Sequence, residues 1–373
     1  LALALAMPGA AQKRTKIDIN AETPEGQMLQ QIGQEQDEAQ KVALMEEFLA
    51  KHGGHDGALW VRGQLASRYA KAPQPDKLIP LVEAILQADP ADAEMAHQAL
   101  KAAEAKNDPD AVIQWAKKTK AAAQAAEKTP KPEDEDEVET WKHTVDFAQQ
   151  VQKYCEYSVY AQALKTGDAA AKIRLMDAVK EINPQSEYVA QLGPAYFLAY
   201  RQTGQNDKAA ATALKLEQAG QANEDIYLFL MSHYAQAKDA AKVSEYAEKT
   251  VNAVKDKPAP AGVDAAAWEK RKQNIMGIGM QVLGVGYSNQ QKWAQADKTL
   301  REALPLLEDE QMKAEALFHL GLANYRMGAA AKDPTKLILE AVKFNQQCAA
   351  IKSPFQAQAQ KNVAAIRTQY RIR

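Results

Sequence analysis

His52-Gly53-Gly54-His55-Asp56 sets three ligand-type residues close together. Two imidazoles and a carboxylate begin a zinc site, but zinc takes three or four ligands, and no cluster of Cys or His elsewhere supplies the rest. The paired glycines suit a tight connection between helices instead. Glu133 to Glu137 is a run of carboxylates without the glycine and alternating spacing of a calcium loop, and it reads as a solvated linker. Gly277, Gly279 and Gly284 have the wrong spacing for a dinucleotide loop and no strand before them, so close helix packing accounts for them better. His97, His143, His233 and His319 fall inside predicted helices and share no spacing that sets a base beside a nucleophile, although a triad need not be sequential. The sequence therefore implies no catalytic residue, no cofactor and no metal site.

The elements that would position any such residues are helices. Among the 373 residues Ala, Gln, Lys, Glu and Leu dominate, while Val, Ile and Thr are sparse, a mixture that favours helix over strand. Lys and Arg number 46 against 48 Asp and Glu, for a net charge of -2, so the whole-chain field gives no reason to expect nucleic acid. No segment reaches the roughly 18 apolar residues of a transmembrane span. Residues 1–11, LALALAMPGAA, are apolar and small and are followed by Gln12, Lys13 and Arg14, as at the end of a secretory signal peptide whose charged start lies outside this numbering. Cleavage is expected after Ala11, giving an exported protein that is periplasmic, envelope-associated or extracellular.

Self-similarity sets the architecture. Between Phe197–Leu216 and Met231–Thr250, Tyr200 and Tyr234, Lys208 and Lys242, Ala213 and Ala247, and Lys215 and Lys249 align at a spacing of 34. Leu283-Gly284-Val285-Gly286-Tyr287, followed by Ala296, Leu300 and Ala303, resembles the Leu-Gly-x-x-Tyr then Ala pattern of the tetratricopeptide repeat; Leu320-Gly321 repeats its opening, with Tyr325 one place late. A small residue in the first helix lets its partner approach, and large residues fill the remaining groove. Upstream, Arg62, Leu65, Ala66 and Tyr69 pair with Leu78, Val82 and Ile85; weaker pairs are Met28 to Ile32 with Val42 to Leu49, and Ala93 to Ala105 with Pro109 to Ala126. Pro90 and Pro184 fall where a helix must stop. About eight hairpins result. The resemblance, to an exported bacterial-type member of that family, implies an all-α, right-handed α-solenoid of antiparallel helix pairs.

Prolines and charge divide the chain. The segments are a leader (1–11), an extension (12–24), N-terminal hairpins (25–128), an acidic, proline-bearing linker (129–139), central hairpins (140–255), a linker (256–264) and C-terminal hairpins (265–352). Asp264 is placed to cap a helix starting at Ala265. Residues 353–373 form a capping helix, with Phe355, Ala359, Val363, Ile366 and Tyr370 on one side. Cys155 and Cys348 would lie in different repeats of a solenoid, beyond the ~7 Å reach of a disulfide, and are expected to fill core space unpaired.

In this family the first helices of successive hairpins line a concave surface. The resemblance projects Gln191, Leu198 and Arg201 into it, then Asp225, Leu228 and Ser232, then Ile278, Gln281 and Val285, and finally Glu315, Phe318, Leu322 and Arg326. Family members that capture a terminal carboxylate use paired Lys and Asn at such positions. Here Leu, Val and Gln stand there, which favours a helix or an extended hydrophobic segment as ligand; the protein's own chain is the competing occupant. The function expected is a non-enzymatic scaffold or adaptor of the cell envelope with a protein or peptide partner. A self-associating structural subunit, stacking head to tail, ranks second, and a cryptic hydrolase third.

Overall fold

In a computed structural model, which describes residue 17 and residues 19–372, the chain forms 17 α-helices and no strand among the described residues. It divides into two compact units, the first ending at Gln205 and the second beginning at Asn206. The first contains α1 (Pro24–Gln34), α2 (Glu38–His52), α3 (Ala58–Lys71), α4 (Pro75–Ala88), α5 (Ala93–Ala105), α6 (Pro109–Glu127), α7 (Glu135–Lys165), α8 (Ala169–Ile182) and α9 (Gly193–Gln202). The second contains α10 (Asn206–Gln218), α11 (Glu224–Gln236), α12 (Ala240–Lys255), α13 (Ala265–Asn289), α14 (Trp293–Ala303), α15 (Glu310–Ala330), α16 (Thr335–Ala349) and α17 (Gln356–Tyr370). The leader, and residues 12–16 and 18 of the extension, lie outside the described residues.

Local chemistry sets where these helices start and stop. Asp92, Asp168, Asp264 and Asp309 each stand one residue before a helix and accept a backbone N–H of its first turn, satisfying a donor that the helix itself leaves unpaired. Asp264 does so from Ala267 at 2.8 Å, as its position in the sequence predicts. The repeat's tyrosine marks helix ends: Tyr200, Tyr234 and Tyr287 each accept, through the carbonyl, an N–H from five residues on, at 2.9–3.0 Å. This is the closing bond of a Schellman turn, and it requires a left-handed residue just before that donor. Gly204 (φ 71°) and Lys238 (φ 59°), 34 positions apart, and Gln291 (φ 60°) supply it. Gly204 does so without a Cβ penalty; the other two bear one.

Small residues then let helices close on one another. A Cβ on Gly284 would lie 2.4 Å from Leu300 Cγ on α14, and one on Gly321 would meet Asn345 of α16 at 2.3 Å. Ala296, Leu300 and Ala303 are wholly buried on the face of α14 turned to α13, as the repeat pattern requires. Gly277 abuts Leu306, including its backbone, and Gly279 abuts Val251 of α12, so α13 is approached closely on two sides. First helices of successive pairs also touch, α3 with α5, α5 with α7, and α13 with α15.

In the first unit one core runs from Leu29 to Ala199 around Phe48, Trp115 and Leu175. It continues past the loop at 128–134, because α6 and α7 pack along each other and Trp141 Nε1 donates to Thr129 O at 2.8 Å. The acidic run forms the first turn of α7, with Asp134 as its cap, where the helix dipole favours negative charge. In the second unit the loop at 256–264 is fastened by Lys257 Nζ to the buried Glu224 carboxylate (2.7 Å) and by Trp268 Nε1 to Lys257 O (3.1 Å). Helix α17 lays Ala359 and Ile366 on α16, with Phe355 against Phe318 (centroids 5.1 Å), and leaves its outer face to solvent. Cys155 and Cys348 are free and buried, and burial pushes their thiols up to about 12 and about 11.

Candidate functional site

The projected binding residues fall in both units. In the first, Gln191 ends a short 3-10 turn ahead of α9, outside any α-helix, and its side-chain oxygen accepts from Tyr160 Oη at 3.2 Å. Leu198 is 54% exposed on α9, and Arg201 lays its guanidinium over Phe197.

In the second unit the projected residues occupy α11, α13 and α15. Asp225 is engaged by Arg271, whose Nη2 donates to both carboxylate oxygens at 2.7 and 2.8 Å. Leu228 and Ile278 are half-buried, Ser232 and Arg326 exposed, and the Arg326 guanidinium lies over Trp293. Leu322 is half-buried. Phe318 packs on Phe355, so the protein's own chain covers it in part. Gln281, Val285 and Glu315 come together: they line an open groove of about 510 Å³.

That groove has apolar walls and a polar floor. Val243, Val282 and Val285 supply the walls, and Gln281 Nε2 donates to Glu315 Oε2 at 2.7 Å across the floor. Gln281 is 2% exposed, which leaves its amide no solvent to turn to. The rim is made by the last residues of α11 and α13 and by the first turn of α12, with Ala235, Ala240 and Lys238 exposed there. Projection from first helices alone misses the share of α12, which is a second helix. The tight turn that brings it to the rim has a left-handed residue at 238, but a lysine stands there and gives no signal in the sequence.

Sequence reading also misses a Ser–His pair. Ser288 Oγ and His319 Nδ1 lie 2.8 Å apart, joining α13 to α15. Burial holds His319 below the ordinary imidazole value, with Glu315 pulling the other way. A nucleophilic serine must reach a substrate carbonyl. Ser288 is 2% exposed and does not line the groove, so the pair acts as a buried cross-tie. At the glycine-rich histidine segment, His52 approaches Glu25 (3.4 Å), while His55 Nδ1 accepts the Gly57 N–H at 3.0 Å. Both imidazoles lie against Phe48, as part of a turn between α2 and α3. Among the described residues no group of three or more His, Cys, Asp or Glu converges as a metal site would need, and no helix is long and apolar enough to cross a membrane.

No protein-family model matches the chain, and no curated protein matches it. Solved structures do. The APC/C hetero-tetramer Cut9-Hcn1 is 14% identical with a TM-score of 0.30, over 93% of this chain and 57% of that one, so this chain spans little more than half its length. The P58(IPK) TPR domain is 12% identical with a TM-score of 0.25, over 94% of this chain and 100% of that one. Yeast Tom70 is 8% identical with a TM-score of 0.25, over 94% and 90%. Scores this low superpose no whole chain, and the fold therefore rests on helix order, pairing and repeat within the chain itself. On those grounds the protein is an all-α array of antiparallel helix pairs that resembles the tetratricopeptide repeat in pattern and packing.

Proposed function

We propose that this protein is a non-catalytic interaction scaffold that holds a segment of a partner polypeptide in the groove bounded by α11, α12, α13 and α15. The observation that carries this reading is the groove itself. It is open, walled by valines and floored by a fixed amide–carboxylate pair, and neither member of the Ser288–His319 hydrogen bond lines it. Sites of this kind take side chains into apolar walls and set their register by a few polar groups. Affinity capture tests it, with wild type compared with Ala240→Trp, a bulky plug at an exposed rim position. A partner retained by wild type should be lost from the plugged protein, whose melting temperature stays unchanged. Equal retention by both proteins would remove the groove from the function.

The envelope setting is part of the proposal and is supported by sequence, through the apolar, small-residue run at 1–11 and the basic residues after it. The mass of the protein recovered from an exporting host checks it: a mature N-terminus at Gln12 is expected, and an uncleaved chain would oppose export by this route.

A further inference from the structure

The charges of the same groove restrict what it can hold. Glu315 is half-buried on its floor and is oriented by a neutral donor, the Gln281 amide, which fixes the carboxylate without cancelling its charge. No described cation does so either: Glu315 makes no ion pair among the described residues, and Lys313, close by on the same helix, is bonded to Glu310 at 2.7 Å. His319, one turn on, has its Nδ1 engaged by Ser288 Oγ at 2.8 Å, and burial disfavours its charged form. The groove also receives the carboxyl ends of two helices, at Ala235 of α11 and at Asn289 of α13, each with partial negative charge. The amino end of α12 points there as well, but Asp239 caps it, its carboxylate accepting the Lys242 N–H at 3.0 Å. Among the described residues the only positive side chain of the lining is Lys238, which is exposed at the rim.

We infer that the groove is a pocket for one cationic side chain with an aliphatic stem, a lysine or arginine of the bound segment. Its methylenes lie along Val243, Val282 and Val285 while its head meets Glu315. Long basic side chains bury their stems on apolar walls and keep the charge at a polar end, and here the polar end is an unpaired carboxylate. An acidic or purely aliphatic side chain leaves that carboxylate repelled, or desolvated with no counter-charge. The inference rests on the groove being the docking site, and it adds the chemistry of the anchor.

Selection from a displayed random heptapeptide library against the full-length chain tests both statements separately. Peptides that depend on the groove, identified by loss of binding to Ala240→Trp, should share a Lys or Arg at one position. Replacing that residue by norleucine should weaken binding by about tenfold. Glu315→Gln, which keeps the shape and can still bond Gln281, should produce a similar loss with the basic peptide and none with the norleucine peptide. Lys238→Glu should tighten the basic peptide a few-fold through relief of like charge at the rim, less so at high salt. Groove-dependent peptides without a basic residue, or a lysine preference that survives Glu315→Gln, would overturn the cationic anchor and leave the docking reading standing. Peptides indifferent to Ala240→Trp, or no selected peptide at all, would overturn both.

Discussion

Gly284→Val should destabilise the second unit by about 2–3 kcal/mol, the upper part of the range for overpacking a closed core, lowering its melting temperature by roughly 5–10 °C. The added Cβ arrives 2.4 Å from Leu300 Cγ. Leu300 cannot give way, because it is wholly buried in one cluster with Leu307, Leu317 and Leu320. Two controls make the expectation specific. Gly33 on α1 is exposed with nothing within 4 Å of its Cβ position, so Gly33→Ala should be neutral or stabilising by about 0.5–1 kcal/mol. Pairing Gly284→Val with Leu300→Ala should cost less than the sum of the two single changes, because the new side chain enters the space the leucine leaves. Calorimetry on wild type and the four variants decides it. A Gly284→Val protein that melts with wild type, or strictly additive losses, would mean that α13 and α14 are not locked by this contact.

The second large effect concerns acid. His97 on α5 is 2% exposed, lies against Tyr154 (4.9 Å) and Phe147 (5.8 Å) of α7, and its Nε2 has no hydrogen-bond partner among the described residues. Burial, reinforced by the Lys101 charge, lowers its pKa from 6.5 to about 4. The unfolded chain therefore binds a proton between these values that the folded chain refuses, and stability rises with pH across that window. Above about pH 6.5 the residue makes no difference. Below it the first unit should lose about 1.4 kcal/mol per pH unit, reaching about 3 kcal/mol near pH 4. Carboxylates held low by ion pairs, Glu224 with Lys257 among them, contribute losses only as pH falls through their own, lower range. Denaturant titrations from neutral pH to pH 4 should show the decline in wild type and a much flatter curve in His97→Leu, which keeps the apolar volume. Identical curves would show that His97 is not the group responsible.

The groove illustrates how far a repeat pattern reaches. Gln281, Val285 and Glu315 could be projected because they recur on first helices, and the structure does bring them to one place. Phe318 belongs to the same pattern yet packs on Phe355, since the chain folds its last helix back over that end. Gln191 precedes α9 in a 3-10 turn, because Pro194 stands at the amino end of that helix and the chain before it takes another course.

The amino-acid sequence alone determined that this chain is helical, that prolines and a cap such as Asp264 bound some of its helices, and which small residues must meet large ones. Those features follow from neighbours a few positions apart, namely caps, prolines and three-to-four-residue periodicity. Tertiary structure decided which side chains keep company across helices. It turned Ser288 and His319 into a cross-tie, gave Glu315 the Gln281 amide and no cation among the described residues, and sealed His97 among aromatic rings. No local rule foretells such pairings, because each depends on the rotation and depth at which two helices come to rest, and those are set by the whole core at once.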